Sequence, residues 1–122
     1  MPERTVEEIE FKSSGAVTSG AETKTTAYDI SRFTEGVFLF HANVATGSSV
    51  VITLKTYIYS DDNKRDYLHS TLVTNLDIDS ATTTAVKTSY PVTNFGKKLK
   101  ISYTIGGTLT TTTFDIMFQG KN

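Results

Sequence analysis

Two histidines, His41 and His69, are the side chains whose ordinary pKa would let them act as bases near neutral pH. Nucleophilic catalysis needs such a base within hydrogen-bonding reach of a serine, threonine or cysteine. Both histidines fall inside alternating strand patterns, with no nucleophile motif nearby. The pattern favours packed or surface histidines, and it predicts no catalytic residue and no enzymatic activity.

Acidic side chains offer the next candidate chemistry. Residues 61–66 supply several oxygen ligands of the kind that calcium prefers. However, Lys64 and Arg65 lie between the acids and would oppose a cation, and EF-hand spacing is absent. Asp77 and Asp79 form a second acidic pair that is more typical of a turn. With no cysteine in the chain, Cys-based zinc sites are also excluded, and the sequence predicts no metal and no cofactor.

Aromatic residues raise the possibility of sugar binding. Tyr57 and Tyr59 could form a small platform on the outer face of a strand, and paired carboxylates could in principle hydrolyse a glycosidic bond. The chain has no Trp, and cross-strand packing is the simpler role for two tyrosines two residues apart. A carbohydrate-binding β-sandwich module therefore stays as an alternative function.

Charge and hydropathy narrow the set of partners. The net charge is −1 and the pI about 6.1, without the basic stripe of a nucleic-acid binder. The densest basic run, residues 97–100, falls in a strand pattern, where lysines protect an exposed edge. No apolar run approaches the roughly 20 residues of a membrane span, and the first residues lack the apolar core of a signal peptide. We expect no nucleic acid or membrane partner, and synthesis in a cytoplasm.

The elements that would position these residues are strands. The 122 residues include 22 Thr, and β-branched side chains favour extended backbone. Apolar residues alternate with polar ones between turns spaced about 10–12 residues apart, which is typical of a sandwich or jelly roll. The predicted strands are residues 9–13, 23–30, 35–44, 49–59, 67–76, 82–92, 99–105 and 108–119.

Several local patterns give specific expectations. Both faces of residues 35–44 are largely apolar, which predicts a central strand covered on both sides. A turn is expected at residues 46–48, and Gly106–Gly107 predicts a tight hairpin. Pro91 should end its strand, because proline cannot donate to the ladder. In residues 35–44 one face carries Val37, Leu39 and His41 and the other Phe38, Phe40, Ala42 and Val44; in the last strand Phe114, Ile116 and Phe118 share one face. The side chains expected to face inward in the other strands are Val50, Ile52, Leu54, Thr56, Ile58, Leu68, Leu72, Leu76, Leu99, Ile101, Tyr103 and Ile105.

Together these patterns predict one all-β domain, an antiparallel β-sandwich or jelly-roll-like fold of about eight strands. The sandwich domain would occupy residues 13–122. Residues 1–12 are polar and acidic at first and would form an N-terminal arm or a first strand. An arm that orders against a partner needs apolar anchors to offset its entropy loss, and Val6, Ile9 and Phe11 are the candidates. Alternatively, Ile9 and Phe11 open the first strand of the sandwich.

An ordered set of segments resembles a known family. Residues 19–23 lead into a strand followed by residues 33–38, residues 46–48 open a long strand that ends at residues 60–62, and residues 92–107 carry the sequence VTNFGKKLKISYTIGG. This set is similar to the small β-sandwich decoration, or cement, proteins of tailed bacteriophage capsids, over residues 19–120. Where that family would have a glycine turn and a Trp after the long strand, this chain has residues 62–67, with Tyr67 in place of the Trp.

The resemblance implies a virion structural protein on the outer surface of a bacteriophage head. Its partner would be the lattice of the major capsid protein, which it would clamp, as a homo-oligomer with a trimer favoured, after synthesis in the host cytoplasm. Many weak sites on a lattice combine through avidity, and strand addition between neighbouring sheets would supply backbone hydrogen bonds. A tail, neck or baseplate component is the nearest alternative.

Overall fold

The computed structural model describes residues 6–80 and 84–122, apart from the side chain of Val44. The described residues contain seven strands and no helix. All paired strands are antiparallel, with one isolated parallel bridge between Ala45 and Asp79. The strands are β1 (Val6–Val17), β2 (Thr23–Lys24), β3 (Tyr28–Asp29), β4 (Glu35–Ser60), β5 (Arg65–Asp77), β6 (Val86–Thr93) and β7 (Lys98–Lys121).

Two long strands, β4 and β7, form the centre of both sheets. They pair with each other along their whole length, from Glu35 opposite Lys121 to Tyr59 opposite Lys98. The register shifts between Asn43 and Val51, near the middle of β4. At that point the two-stranded ribbon folds over, because Tyr103 and Phe114 of the same strand meet with ring centroids 4.9 Å apart. Along an extended strand, eleven residues would separate them by roughly 36 Å.

Folding the ribbon creates two facing sheets. In the first sheet, β1 and β6 flank the halves of β7 and β4 that pair around Phe118 and Phe38. In the second sheet, β2, β3 and β5 flank the other halves, around Ile101 and Thr56. If β2 and β3 count as one interrupted strand and the two long strands as two each, eight strands lie in the order of a jelly roll. The predicted all-β sandwich of about eight strands is confirmed.

The core fills the space between the sheets. Most of the predicted inward side chains on β4 and β7 are buried there, and the buried side chains also include Ile30, Phe33 and Phe95 from the connecting segments. Tyr103, which is half-buried, packs against this core. Gly36 and Gly120 lie opposite each other, where a Cβ would collide with the rings of Phe118 and Phe33 respectively. Alternation with a period of two residues therefore predicted the core well. The side chain of Val44 lies outside the described part.

A short segment after β5 holds the bend of the ribbon in place through hydrogen bonds. The carboxylate of Asp79, which is 3% exposed, accepts a hydrogen bond from the Val50 backbone N–H at 2.9 Å. The Ala45 N–H donates to Ile78 O at 2.7 Å, and the Ile78 N–H donates to Val50 O at 3.2 Å. The Asp79 N–H donates to Asp77 Oδ1 at 2.9 Å, which makes the acidic pair a turn.

Two predicted turns proved wrong. Gly106–Gly107 is not a hairpin, because it lies inside β7 and both flanking segments pair with β4. Residues 46–48 likewise lie inside β4. Gly107 has a φ of 82°, a value that glycine tolerates without strain. The glycines therefore allow β7 to bend where the paired ribbon folds over. Local sequence does not distinguish a turn that reverses one strand from a bend shared by two.

The predicted inward face of β5 is also wrong at Leu68, which is 61% exposed. The register of β5 against β4 shifts three times, and each inserted residue moves the following side chains to the other face. Leu72 and Leu76 are half-buried and pack against the core as expected. Leu68 lies opposite Tyr57, on the outer side of the second sheet.

Several strand boundaries differ from expectation. Residues 23–30 form two short strands, β2 and β3, rather than one. Pro91 lies inside β6 instead of ending it, which is possible because β6 pairs only with β4 and is an edge strand. The predicted start of that strand at Thr82 lies outside the described residues.

The expectation that β4 is covered on both sides is wrong for its first half. Phe38, Phe40 and Ala42 are buried, whereas Val37 and Leu39 are only half-buried on the outer side. The strand is central within its sheet, between β7 and β6. Its outer apolar side chains face away from the core, with no layer of the described residues packed over them as a second sheet.

Candidate functional site

The outer side of the first sheet is the candidate contact surface, and we call it the open face. Strand pairing arranges its side chains in rows across four strands. Its apolar centre is formed by the half-buried Val37, Leu39 and Met117. Around this centre lie Val6, Glu8 and Glu10 on β1, Lys87, Ser89 and Pro91 on β6, and His41, Asp115 and Gln119 on the middle strands.

Two shallow grooves cross the open face. One has a volume of about 610 Å³ and runs past Leu39, Met117 and Lys87. The other, of about 260 Å³, runs past Val37 and Pro91. Acidic groups concentrate on the β1 side and Lys87 lies on the β6 side. An apolar centre with a charged rim is the usual composition of a protein–protein contact.

His41 lies on this face beside an acid. Its Nδ1 is 3.4 Å from Asp115 Oδ2, and both side chains are partly exposed. Ser89 borders the same groove, but it lies opposite Leu39, one row away from His41. The pair is a partly exposed polar contact, and within the described residues no serine or threonine hydroxyl is hydrogen-bonded to His41.

The outer side of the second sheet, which we call the paired face, is organised differently. Asp66 receives Lys24 Nζ at 3.0 Å on one carboxylate oxygen, and Lys100 Nζ lies 3.1 Å from the other. Glu22 accepts hydrogen bonds from the Tyr57 hydroxyl at 2.9 Å and from the Ser102 hydroxyl at 3.0 Å. These polar and charged groups are therefore paired with one another across β2, β7, β4 and β5.

These contacts shift the pKa values of the acids involved. The hydrogen bond from Tyr57 is the main cause that lowers the pKa of Glu22 below its ordinary value. For Asp66, partial burial acts to raise the pKa, but the hydrogen bonds from Lys24 and Lys100 outweigh it and the pKa is lowered. Both carboxylates are thus held in their charged form.

Each of the two tyrosine rings on the paired face is covered by a lysine ammonium group. Lys24 Nζ lies 4.2 Å from the centre of the Tyr57 ring, and Lys100 Nζ lies 4.7 Å from that of Tyr59. Such cation–π contacts occupy the ring face that a sugar would need. The arrangement favours the structural role of these tyrosines over a carbohydrate platform.

His69 joins the two sheets at their far edge. Its Nδ1 is 2.8 Å from the buried Thr56 hydroxyl and its Nε2 is 2.8 Å from Thr93 O on β6. Both ring nitrogens therefore have structural partners. The part of the chain that the structure describes contains no group of three or more His, Asp or Glu side chains suited to a metal ion.

The three proposed arm anchors lie in β1 and differ in environment. Phe11 is 4% exposed, and its ring centroid is 5.0 Å from that of Phe38. Ile9 is half-buried and packs against the core. Val6 is 52% exposed and lies on the open face. Residues 1–5 lie outside the described part, and the role of all three anchors in capsid contact stays a prediction.

Sequence reasoning missed the open face as a unit. Its strands come from residues 6–10, 35–41, 87–91 and 115–121, which no local pattern joins. A signal was present, however: the apolar outer positions of β4 were expected to be covered. The exposure of Leu68, which is 61%, was also missed, because the irregular register of β5 has no marker in the sequence.

The chain was compared with known proteins. No family model matches it, and no curated protein does so. Among solved structures, the infectious bursal disease virus Gx strain matches with a TM-score of 0.73 and 6% identity, covering 98% of this chain and 32% of that one. The VP2 subviral particle of the same virus gives 0.71, 7%, 97% and 32%, and the Gt strain gives 0.60, 9%, 98% and 36%.

These matches establish a shared fold. The chain shares its jelly-roll-like β fold with these viral proteins, and it spans about a third of the length of the chains it matches. None of the described segments forms a helix with the length and apolar content needed to cross a bilayer.

Proposed function

We propose that this chain is a virion structural protein that decorates the outer surface of a tailed-bacteriophage head and stabilises its shell. The observation that carries the proposal is a jelly roll shared with a viral capsid protein over nearly the whole chain. The sequence resemblance to phage decoration proteins points to the same class of virion protein. The partner is the lattice of the major capsid protein, and the chain acts as a homo-oligomer, with a trimer favoured.

The chemistry of the surface supports binding rather than catalysis. The two histidines are held in structural or exposed polar contacts. The open face offers an apolar centre and a charged rim, and Val6 extends its apolar surface at the β1 side. A modest contact of this kind becomes effective when repeated over a lattice, because copies bound side by side reinforce one another through avidity.

In this proposal the arm anchors divide their roles. Val6 contacts the shell, since its side chain is exposed on the open face. Phe11 holds β1 against the core through its contacts with Phe38 and Phe118, and Ile9 supports it. A Phe11→Ala variant should therefore lower the melting temperature, whereas Val6→Ala should leave it nearly unchanged and weaken shell binding.

Cosedimentation tests the location. The purified chain is mixed with empty heads and, separately, with isolated tails of the phage that carries its gene. Binding that saturates on heads and is absent from tails is the expected result. Saturation on tails alone would replace the proposal with a tail, neck or baseplate role, and binding to neither would overturn a virion role.

The carbohydrate alternative and the enzyme alternative have their own tests. A glycan array should give no signal above background, because lysines cover the Tyr57 and Tyr59 rings. A hydrolytic activity that His41→Ala abolishes would contradict the binding role.

A further inference from the structure

The edges of the two sheets differ in how well they are protected against added strands. An exposed edge strand has unpaired N–H and C=O groups that can accept another strand, and proteins block such edges with prolines, bulges or very short strands. β6 carries Pro91, β5 shifts register three times, and β2 and β3 have two residues each. In β1 the register shifts only after Glu10.

The phase of the ladder shows which backbone groups of β1 face outward. In antiparallel pairs, neighbouring residues alternately point their N–H and C=O toward and away from the partner strand. Pro91 lies opposite Val37 and has no N–H, so this position of β6 faces away from β4. Thr93, two residues along, agrees with this phase, because its carbonyl accepts from His69 Nε2 at 2.8 Å.

The same row then continues across the sheet. Since Val37 does not bond to Pro91, its backbone groups point to Gln119 of β7, which lies opposite. Gln119 therefore turns away from β1, and Glu8, opposite Gln119 on the other side, turns away from β7. Lys121, two residues after Gln119, should point its backbone groups the same way, away from β1. Its carbonyl does so, since it accepts the Thr34 N–H at 2.8 Å.

By this alternation, Val6, Glu8 and Glu10 direct their backbone N–H and C=O groups to the outer edge of β1. No strand among the described residues pairs with that edge. Since β1 is already bonded to β7, it cannot act as a free arm that inserts into a neighbour. Its outer edge instead has the geometry to pair with a strand from a partner.

Charge selects the kind of strand that this edge can accept. A second copy of β1 paired antiparallel about its centre would place Glu8 opposite Glu8, and like charges directly opposite each other are destabilising. Glu8 and Glu10 are both exposed. A strand with Lys or Arg at alternate positions would instead place its cations beside them.

We propose that the free edge of β1 at Val6, Glu8 and Glu10 accepts an extended segment of the shell protein that carries Lys or Arg at alternate positions. This inference rests on the proposed function, since it names the chemistry of the partner. Backbone hydrogen bonds supply the affinity, as in other cases of strand addition, and the alternate charges supply the selectivity.

The test uses a peptide in place of the shell, so that its outcome is independent of head binding. The probe is an acetylated heptapeptide of alternating Lys and Val, and the control replaces each Lys with Glu. Amide hydrogen exchange followed by NMR should show new protection at the Glu8 and Glu10 N–H groups with the Lys peptide only. Absence of that protection, or equal binding of the Glu peptide, overturns the proposal even if the chain binds heads.

Two substitutions at one position separate backbone from side chain. Glu8→Pro removes the outward N–H, as Pro91 does on β6, and should weaken Lys-peptide binding about fivefold more than Glu8→Ala, which removes the same carboxylate but keeps the N–H. Equal binding by the two variants contradicts the edge contact.

Folding provides a check on the phase. Ile9 has the opposite phase, so Ile9→Pro should remove a hydrogen bond to β7 and lower the melting temperature by several degrees more than Glu8→Pro does. If Glu8→Pro is the more destabilising of the two, the assigned phase is wrong. A dimer of the free chain that Glu8→Pro dissociates would also overturn the proposal, because it would make a second copy the occupant.

Discussion

The two outer faces of this jelly roll use their side chains in different ways. On the paired face, Asp66 is held by two lysines and Glu22 by two hydroxyls. On the open face, Leu39 and Met117 lie half-buried at the centre with charges at the margins. A face whose charges neutralise one another has little to offer a partner, whereas an apolar centre with a charged rim has the composition of an interface.

The difference follows from a few positions in the strands. The second half of β4 places Lys55, Tyr57 and Tyr59 outward, whereas the first half places Val37, Leu39 and His41 outward. One strand thus supplies a polar outer surface to one sheet and an apolar one to the other. This contrast supports the proposed assignment of shell contact to the open face.

The largest expected effect comes from placing a charge at the centre of the open face. Leu39→Glu should reduce head binding by about tenfold or more, because a buried carboxylate without a partner opposes contact. The matched control is Thr104→Glu, on the outer side of the second sheet opposite Thr53, which adds the same charge and should leave binding unchanged. Cosedimentation with heads measures both, and equal loss in the two variants would remove the distinction between the faces.

The next effect is on stability and belongs to the paired face. Asp66→Ala leaves Lys24 and Lys100 without their shared carboxylate. Because these groups are partly exposed, the expected loss is about 1 kcal/mol in the free energy of unfolding, measured by urea denaturation, with head binding unchanged. A fall in head binding without a fall in stability would instead make the paired face the contact surface.

How far the sequence predicted these features depends on the range of the interactions. Alternation identified Phe38, Ile52 and Phe118 as core residues, because the period of two is local to each strand. It failed at Gly106–Gly107, because a bend in a shared ribbon depends on a partner some sixty residues earlier in the chain. It failed at Leu68, because inserted residues in β5 are set by pairing.

The candidate site was less accessible for the same reason. Val6 was identified from its apolar side chain, but its neighbours on the open face, Met117 and Leu39, come from distant segments. Their grouping depends on strand order, which the sequence does not contain locally. The aromatic pair Tyr57 and Tyr59 was identified correctly as an outer-face pair, whereas the lysines that cover their rings come from β2 and β7.

A smaller effect should appear with acid. The folded-state pKa values of Glu22 and Asp66 lie below their ordinary values of 4.5 and 3.8. A lowered carboxyl pKa contributes stability that is fully present above the unfolded-state value and is lost as the pH falls through the folded-state value. Urea denaturation should therefore show falling stability below about pH 4.5.

The control for acid sensitivity carries Glu22→Gln and Asp66→Asn, which remove both titrating groups from the paired face. As the pH falls below about 4.5, this variant should lose less free energy of unfolding than the wild type does. The same slope in both proteins would assign the acid sensitivity to carboxylates other than Glu22 and Asp66.

The smallest expected effect tests one hydrogen bond of the paired face. Tyr57→Phe removes the hydroxyl that donates to Glu22 at 2.9 Å, and should cost about 0.5–1 kcal/mol. It should also raise the pKa of Glu22 toward its ordinary value, because that hydrogen bond is the main cause of the lowering. NMR titration of the Glu22 carboxyl carbon measures the shift, with Tyr59→Phe as the control. An unchanged pKa would mean that the Ser102 hydroxyl and the nearby lysines are sufficient to hold this carboxylate, and that the paired face depends less on its tyrosine than the geometry indicates.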